Sequence, residues 1–430
     1  MYINAGKAFA LVGGQFGSEA KGLVASHIAL QEPGMNRSTT ICTTNAGAQA
    51  GHTTILPNGT KFICYHLPTI GVLFDQSTIY LNAGSIIDLD LLRHEIMAIS
   101  NILMRPLGDI ASRIVIHPNA AVITNAAKET EQTATVHLGS TQKGVGAALA
   151  NKIMRVKGAT MGTMFESGFW PMAGYAPGIP IVALNLNDRM YTGAAVTIEI
   201  PQGTGLSLSN GDFYPKCTSR DCWVGQGIAD AGINPKYLEN SAMVCRTYPI
   251  RVGHIYDATG QKVGDSGGWY PDSTELSWAE NFPKIEPERT TVTKRVRRIA
   301  SWSSIQYRSA LSLNCPSHVF ITFVNYFSGP QAFAQFMRAL NRVHFGVGMS
   351  PEMLFSWGPA SDQVGNYSTA MDWLMERDHP KTIHNLETEK RLDPSFAAML
   401  LQISPMVPDS SSWNTALLAS RNGSSIWHSE

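Results

Sequence analysis

Residues 10–24 read ALVGGQFGSEAKGLV, and the fold turns on how they are read. They continue an apolar run, AFALV (8–12), that fits a short buried strand closed by glycines. Beyond the loop, AKGLVASHIAL (20–30) fits a helix. A strand, a glycine-rich turn and a helix start together make an anion cradle. Glycines let backbone N–H groups approach a phosphate, and the helix N-terminus adds a favourable dipole. Lys21 would add a point charge. The common P-loop ending, Gly-Lys-Ser/Thr, is missing, because this turn ends Ala20-Lys21-Gly22. A tight glycine turn carrying an exposed lysine is the plainer alternative.

Outward from the loop, strand and helix patterns alternate. TIYLNAGSIIDLDLLRHEIMAI (78–99) reads as strand, turn and helix, with Asp88 as the cap. RIVIHPNAAVI (113–123) and IPIVAL (179–184) read as buried strands. HVFITFVNYF (318–327) is strongly β-prone, and GPQAFAQFMRALNRV (329–343) fits an amphipathic helix. The alternation predicts an α/β fold: a large, mostly parallel central sheet flanked by helices, with inserted subdomains. Residues 256–290, rich in Gly, Pro, Asp and Ser, read as surface insertions. The expected organisation is one catalytic domain over 1–360, with 361–430 a helical or irregular extension of it.

The chain has 430 residues and is 44% hydrophobic, enough for a sizeable core. Lys+Arg and Asp+Glu number 33 each, a balance that argues against a nucleic-acid partner but not against a small anion. Six scattered cysteines form no CxxC pair, so reduced thiols are expected. The start lacks a signal-peptide layout, and no apolar run approaches the roughly 20 residues of a membrane helix. A cytoplasmic protein without a membrane partner is expected.

The loop GGQFGSEAKG (13–22) resembles the N-terminal loop of the adenylosuccinate synthetase family, Gly-x-Gln-Trp-Gly-Asp-Glu-Gly-Lys-Gly. Further elements agree in the family's order: AGHTTI (50–55), HLPTIGVLF (66–74), GSTQKGVGAALANKIMR (139–155), PQGTGLSLSNGDFYPKCTS (201–219), TYPIRVG (247–253), TKRVRR (293–298) and SWGP (356–359). The family joins L-aspartate to a purine nucleoside monophosphate. The purine's six-position oxygen takes the γ-phosphate of a nucleoside triphosphate, and the aspartate amine then displaces that phosphate. Mg²⁺ and fixed donors offset the charge on the transferring group.

By this resemblance, His52 polarises the triphosphate and acts as general acid, with Lys21 on the phosphates. Gly17, Glu19, Ala20, Gly22, Gly51 and Thr53 surround the triphosphate, as do Ser356 and Gly358. Gly51 and Ser18 stand at the metal. Thr141, Gln202 and Thr218 hold the acceptor nucleotide, and Gln202 suits a purine edge because an amide both donates and accepts. Arg155 reaches the acceptor's 5′-phosphate from a second subunit, which implies a homodimer. Thr293, Arg295 and Arg297 bind aspartate, where an arginine fork pairs with carboxylates.

Two departures sharpen the expectation. Ser18 replaces the family aspartate that acts as base and metal ligand. A serine makes room for an exocyclic amino group, so guanine (dGMP or GMP) is expected in place of hypoxanthine. This resembles the phage branch of the family, which uses dGMP to make a diaminopurine precursor; the location would then be the host cytoplasm. An ordinary enzyme acting on IMP is the alternative, as is an inactive relative in which Ser18 caps a helix. Second, Thr-Phe-Val-Asn (322–325) replaces the guanine-reading Thr-Lys-x-Asp. Asn325 suits adenine's edge, and Phe323 can stack on a base. ATP or dATP is therefore expected as donor over GTP.

Overall fold

The computed structural model describes residues 3–31, 37–135, 137–290 and 294–378. Its centre is a nine-stranded sheet. Its strands are β1 (Ala8–Gly13), β2 (Ile41–Thr44), β3 (Thr78–Leu81), β4 (Ile114–Ile116), β5 (Val196–Glu199), β6 (Leu238–Arg246), β7 (His318–Thr322), β8 (Glu352–Ser356) and β9 (Val364–Gly365). Their order is β9-β8-β7-β6-β1-β5-β2-β3-β4. Every neighbouring pair is parallel except β8–β9. β1 is buried along its whole length, with Ala8 opposite Val196 on one side and Leu238 on the other. A parallel strand covered on both faces needs a continuous apolar run, which AFALV supplies.

Helices cover the sheet. α1 (Lys21–Gln31) packs Leu23, Val24, Ile28 and Ala29 against Phe9, Leu11 and Val244. α2 (Leu89–Ile102) is capped as expected, with Asp88 accepting from the Leu91 N–H at 3.2 Å. It packs Leu92, Ile96 and Ile99 with Ile79, Ile114 and Trp170. α3 (Pro330–Val347) runs past the expected Val343 until Gly348, at a φ of 65°, ends it.

The structure corrects several boundaries. RIVIHPNAAVI is two strands, because a turn in which the Ala120 N–H bonds the His117 carbonyl separates β4 from Ala121–Val122. IPIVAL is strand only at its start: Ile179 and Pro180 pair with Trp170 and Phe169 and Ile179 is buried, but the strand ends there and Val182 is 46% exposed. The apolar run from His318 leaves the sheet at Thr322, where Phe323 turns left-handed at a φ of 63° and a short 3₁₀ turn, Val324–Tyr326, follows. Residues 256–290 are not merely surface: Ser266, Tyr270, Trp278, Phe282 and Thr290 are buried.

The cysteines are free, and burial pushes the Cys222 thiol up to about 12. No helix among the described residues is long and apolar enough to cross a membrane. Helix Tyr367–Asp378 is the last described element, so most of the expected extension lies outside the described residues.

Candidate active site

In an open parallel sheet, ligands bind beyond the carboxyl ends of the strands, where the strand order reverses. Here that place is the end of β1. The glycine-rich loop follows β1, the segment leading to His52 follows β2, Gln202 follows β5, Arg246 ends β6, Phe323 and Asn325 follow β7, and Ser356 ends β8. Together they line a cleft of about 800 Å³. Topology alone thus gathers residues more than 300 positions apart, from Gly17 to Gly358.

The loop is built around a buried ion pair. Glu19 is fully buried; its Oε1 accepts from the N–H groups of Gln15 (3.1 Å) and Gly17 (2.7 Å), and its Oε2 lies 2.8 Å from Lys21 Nζ. Lys21 also donates to the Gln202 carbonyl. It is only 4% exposed, so it is not the exposed lysine of a plain turn. Gly22 is required by close packing: a Cβ there would lie 2.5 Å from the Thr53 carbonyl oxygen.

Ser18 and Ala20 adopt φ values of 59° and 65°. Such left-handed backbone costs a non-glycine residue about 1 kcal/mol or more and is concentrated at functional sites. It leaves Ser18 exposed in the cleft, while its carbonyl accepts from Arg246 Nη1 at 3.0 Å. Ser18 lacks the extended backbone typical of a helix cap, and α1 starts only at Lys21.

His52 opens a hairpin, His52–Ile55 with Lys61–Cys64. Its Nδ1 lies 3.4 Å from Oε2 of Glu199, the last residue of β5. Glu199 is 1% exposed; its Oε1 accepts from the Ile70 N–H at 2.8 Å, and its Oε2 has no hydrogen-bond partner. Ile70 lies in the HLPTIGVLF segment. Glu95 holds the start of that segment by accepting from the N–H groups of Tyr65, His66 and Leu67. The segment therefore serves the site from behind: Glu95 fixes the loop, the loop fixes Glu199, and Glu199 faces His52. With Nδ1 on that side, Nε2 is the nitrogen left for a ligand.

Other expected residues fall into place around the cleft. Gln202 has a φ of 57° and an Nε2 without a partner. Thr141 and Thr218 line the cleft, as do Gly17, Ala20, Gly51, Thr53, Asn325, Ser356 and Gly358. Arg297 lines it beside Glu288 and Arg246, and burial lowers its pKa. Arg295 stands apart from the lining; its guanidinium reaches the carbonyls of Gly253 (3.2 Å) and Ser140 (3.4 Å). Arg155 is exposed and does not line the cleft of its own chain. Thr293 lies outside the described residues.

Sequence reasoning missed Gln49, Glu199, Arg246 and Glu288. Gln49 lines the cleft with both amide atoms buried and unpartnered. The legible signal for Glu199 was a carboxylate ending an otherwise uncharged strand, VTIE.

Residues 10–171 and 176–333 match the adenylosuccinate synthetase family model. The chain is 32% identical over 370 residues to N6-succino-2-amino-2′-deoxyadenylate synthase of Salmonella phage PMBT28, covering 83% of this chain and 97% of that protein. It is 28% identical over 323 residues to adenylosuccinate synthetase of Thermococcus onnurineus, covering 74% of this chain and 84% of that one. Among solved structures it resembles cyanophage S-2L succinoaminodeoxyadenylate synthetase (PurZ), bound to dGMP and to dATP as an energy donor. The TM-score is 0.72 and the identity 29%, over 86% of this chain and 99% of that one. Loop, sheet order and these likenesses agree: the chain belongs to the adenylosuccinate synthetase family of C–N bond-forming ligases.

Proposed function

We propose that this protein joins L-aspartate to the six position of dGMP, with ATP or dATP as phosphoryl donor, to give N6-succino-2-amino-2′-deoxyadenylate. The observation that carries the reading is Ser18, a neutral hydroxyl exposed in the cleft at the position of the family aspartate. A carboxylate there suits a ring N–H; a hydroxyl leaves space and a hydrogen-bond partner for the two-amino group of guanine. The likeness to phage synthases, one of them bound to dGMP and dATP, supports the same choice.

In this reading the purine oxygen takes the γ-phosphoryl group, and the aspartate amine displaces it. Lys21, anchored by Glu19, offsets phosphate charge. His52, backed by Glu199, presents Nε2 to the transferring group. The unpartnered Nε2 of Gln202 and the unpartnered amide of Gln49 face the acceptor nucleotide in this reading. Arg297, in the lining, receives aspartate, with Arg295 set back from it on the Gly253 and Ser140 carbonyls and Thr293 completing the loop. Phe323 and Asn325 meet the donor base, where an aromatic face stacks and an amide matches adenine's donor–acceptor edge. Glu19 is already held by Lys21 and two N–H groups, so it is not free to replace the missing base.

Mg²⁺ fits this site. Among the described residues no group of three His, Cys, Asp or Glu side chains forms a metal cage. Mg²⁺ at phosphoryl-transfer sites rests largely on substrate phosphates and water, with one or two protein ligands. Ser18 and the backbone at Gly51, both exposed in the cleft, would serve as those ligands. When bound, the ion neutralises charge on the triphosphate. A homodimer completes the acceptor site, with Arg155 supplied by a second copy. The exposure of Ile153 (72%), Met154 (74%) and Val156 (48%) around Arg155 supports a self-contact there.

The test is an endpoint assay with aspartate, Mg²⁺ and ATP, offering dGMP, GMP and IMP separately, with products read by mass spectrometry. Adduct from dGMP and none from IMP is expected. Adduct from IMP would make the ordinary acceptor correct, and no adduct from dGMP with ATP or dATP would refute the proposal.

A further inference from the structure

Arg246 ends β6 and is 1% exposed, yet its guanidinium is the meeting point of the loops around the cleft. Nη1 donates to the Ser18 carbonyl at 3.0 Å. Nη1 and Nη2 together grip both carboxylate oxygens of Glu288. Nε donates to the Tyr248 carbonyl at 3.1 Å. The guanidinium carbon sits 3.5 Å from the centre of the Phe323 ring. Glu288 also accepts from the Tyr326 hydroxyl at 2.7 Å, and its carbonyl accepts from the Arg297 N–H at 2.8 Å. The Gln15 side chain clamps the Arg246 backbone, accepting from its N–H (2.8 Å) and donating to its carbonyl (3.1 Å).

We propose that Arg246 is a positioning residue that sets acceptor choice and donor binding together. It acts through residues that line the cleft. Through the Ser18 carbonyl it holds a residue in left-handed backbone, and so fixes where the hydroxyl stands. By stacking on Phe323 it fixes the plane of the ring that meets the donor base. Only a planar, forked cation can stack and pair bidentately at once, so lysine is a poor replacement here. The inference rests on the proposed role of Ser18 at the acceptor.

The experiment compares wild type with Arg246→Lys. It measures kcat/KM for dGMP and for IMP, KM for ATP, and thermal melting. The expected result is a dGMP-over-IMP preference reduced by about tenfold or more, together with a raised ATP KM, since small displacements at a reacting centre cost rate steeply. A folded Arg246→Lys enzyme with both quantities unchanged overturns the positioning role. If Arg246→Lys does not fold, Glu288→Gln weakens the same grip from the partially exposed side; it is expected to move both quantities in the same directions, and an unchanged preference overturns the inference. A wild type that uses IMP as well as dGMP overturns the underlying acceptor reading, and that outcome is seen before any variant is compared.

Discussion

Glu199→Gln tests the support behind His52. The two side chains have nearly the same shape, and the new amide oxygen can keep the Ile70 N–H bond that Glu199 accepts at 2.8 Å. The amide nitrogen then faces His52 Nδ1, where Glu199 Oε2 now stands at 3.4 Å. The fold is retained, but the carboxylate that faces the imidazole is lost. A hydrogen bond involving a charged group contributes about 1.5–3 kcal/mol. At 3.4 Å the contact falls short of a formed hydrogen bond, so a contribution of about 1.4 kcal/mol, just under the lower end of that range, applies. At about 1.4 kcal/mol per factor of ten, kcat falls about tenfold. Steady-state rates at saturating substrates, with melting curves as a fold control, decide the matter. A folded variant with unchanged kcat would refute the claim that Glu199 supports His52.

Asn325→Asp is expected to move donor preference from ATP toward GTP, read as the ratio of kcat/KM for the two; an unchanged ratio excludes Asn325 from base reading. Arg295→Ala is expected to raise the aspartate KM while leaving the nucleotide KM values near wild type. Burial pushes the Glu288 pKa up, but the Arg246 charge and the hydrogen bonds from Arg246 and Tyr326 outweigh it and hold the group below its ordinary 4.5. Its stabilising contribution is therefore present above that pH and is lost as pH falls through the lower folded value. Glu288→Gln should lower the melting temperature near neutral pH and shrink the difference from wild type below pH 4.5, as read by differential scanning calorimetry.

The glycine loop was legible because its chemistry is local. GGQFGSEAKG sits between an apolar strand and a helix, and no distant contact is needed to see a phosphate cradle there. β5 and β6, the strands on either side of β1, were not recognised. Thr197 and Glu199 interrupt one apolar pattern, and Glu239, Asn240 and Ser241 obscure the start of the other. Val196, Thr197 and Ile198 of β5 do favour a strand, but four residues ending in a carboxylate are a short signal without the neighbours that cover them. Glu199 and Arg246 were missed for a related reason. Each is a charged residue at the buried end of a strand, where its partner comes from far away in the chain. The turn at Phe323 was equally hidden, since an aromatic residue in left-handed backbone follows no local rule.

The position of β1 also shapes how the protein comes to exist. It comes first in chain order among the strands of the sheet, yet its neighbours begin only at Val196 and Leu238. At translation rates of about 5–20 residues per second, roughly 10–50 seconds separate the emergence of Gly13 from that of Arg246. During that interval an apolar strand has neither flank paired, and the loop behind it lacks both the Gln202 carbonyl that receives Lys21 and the guanidinium that holds Ser18. Such distant pairings close late and make folding slow. The glycine-rich loop is thus completed by contacts from residues made about two hundred positions after it.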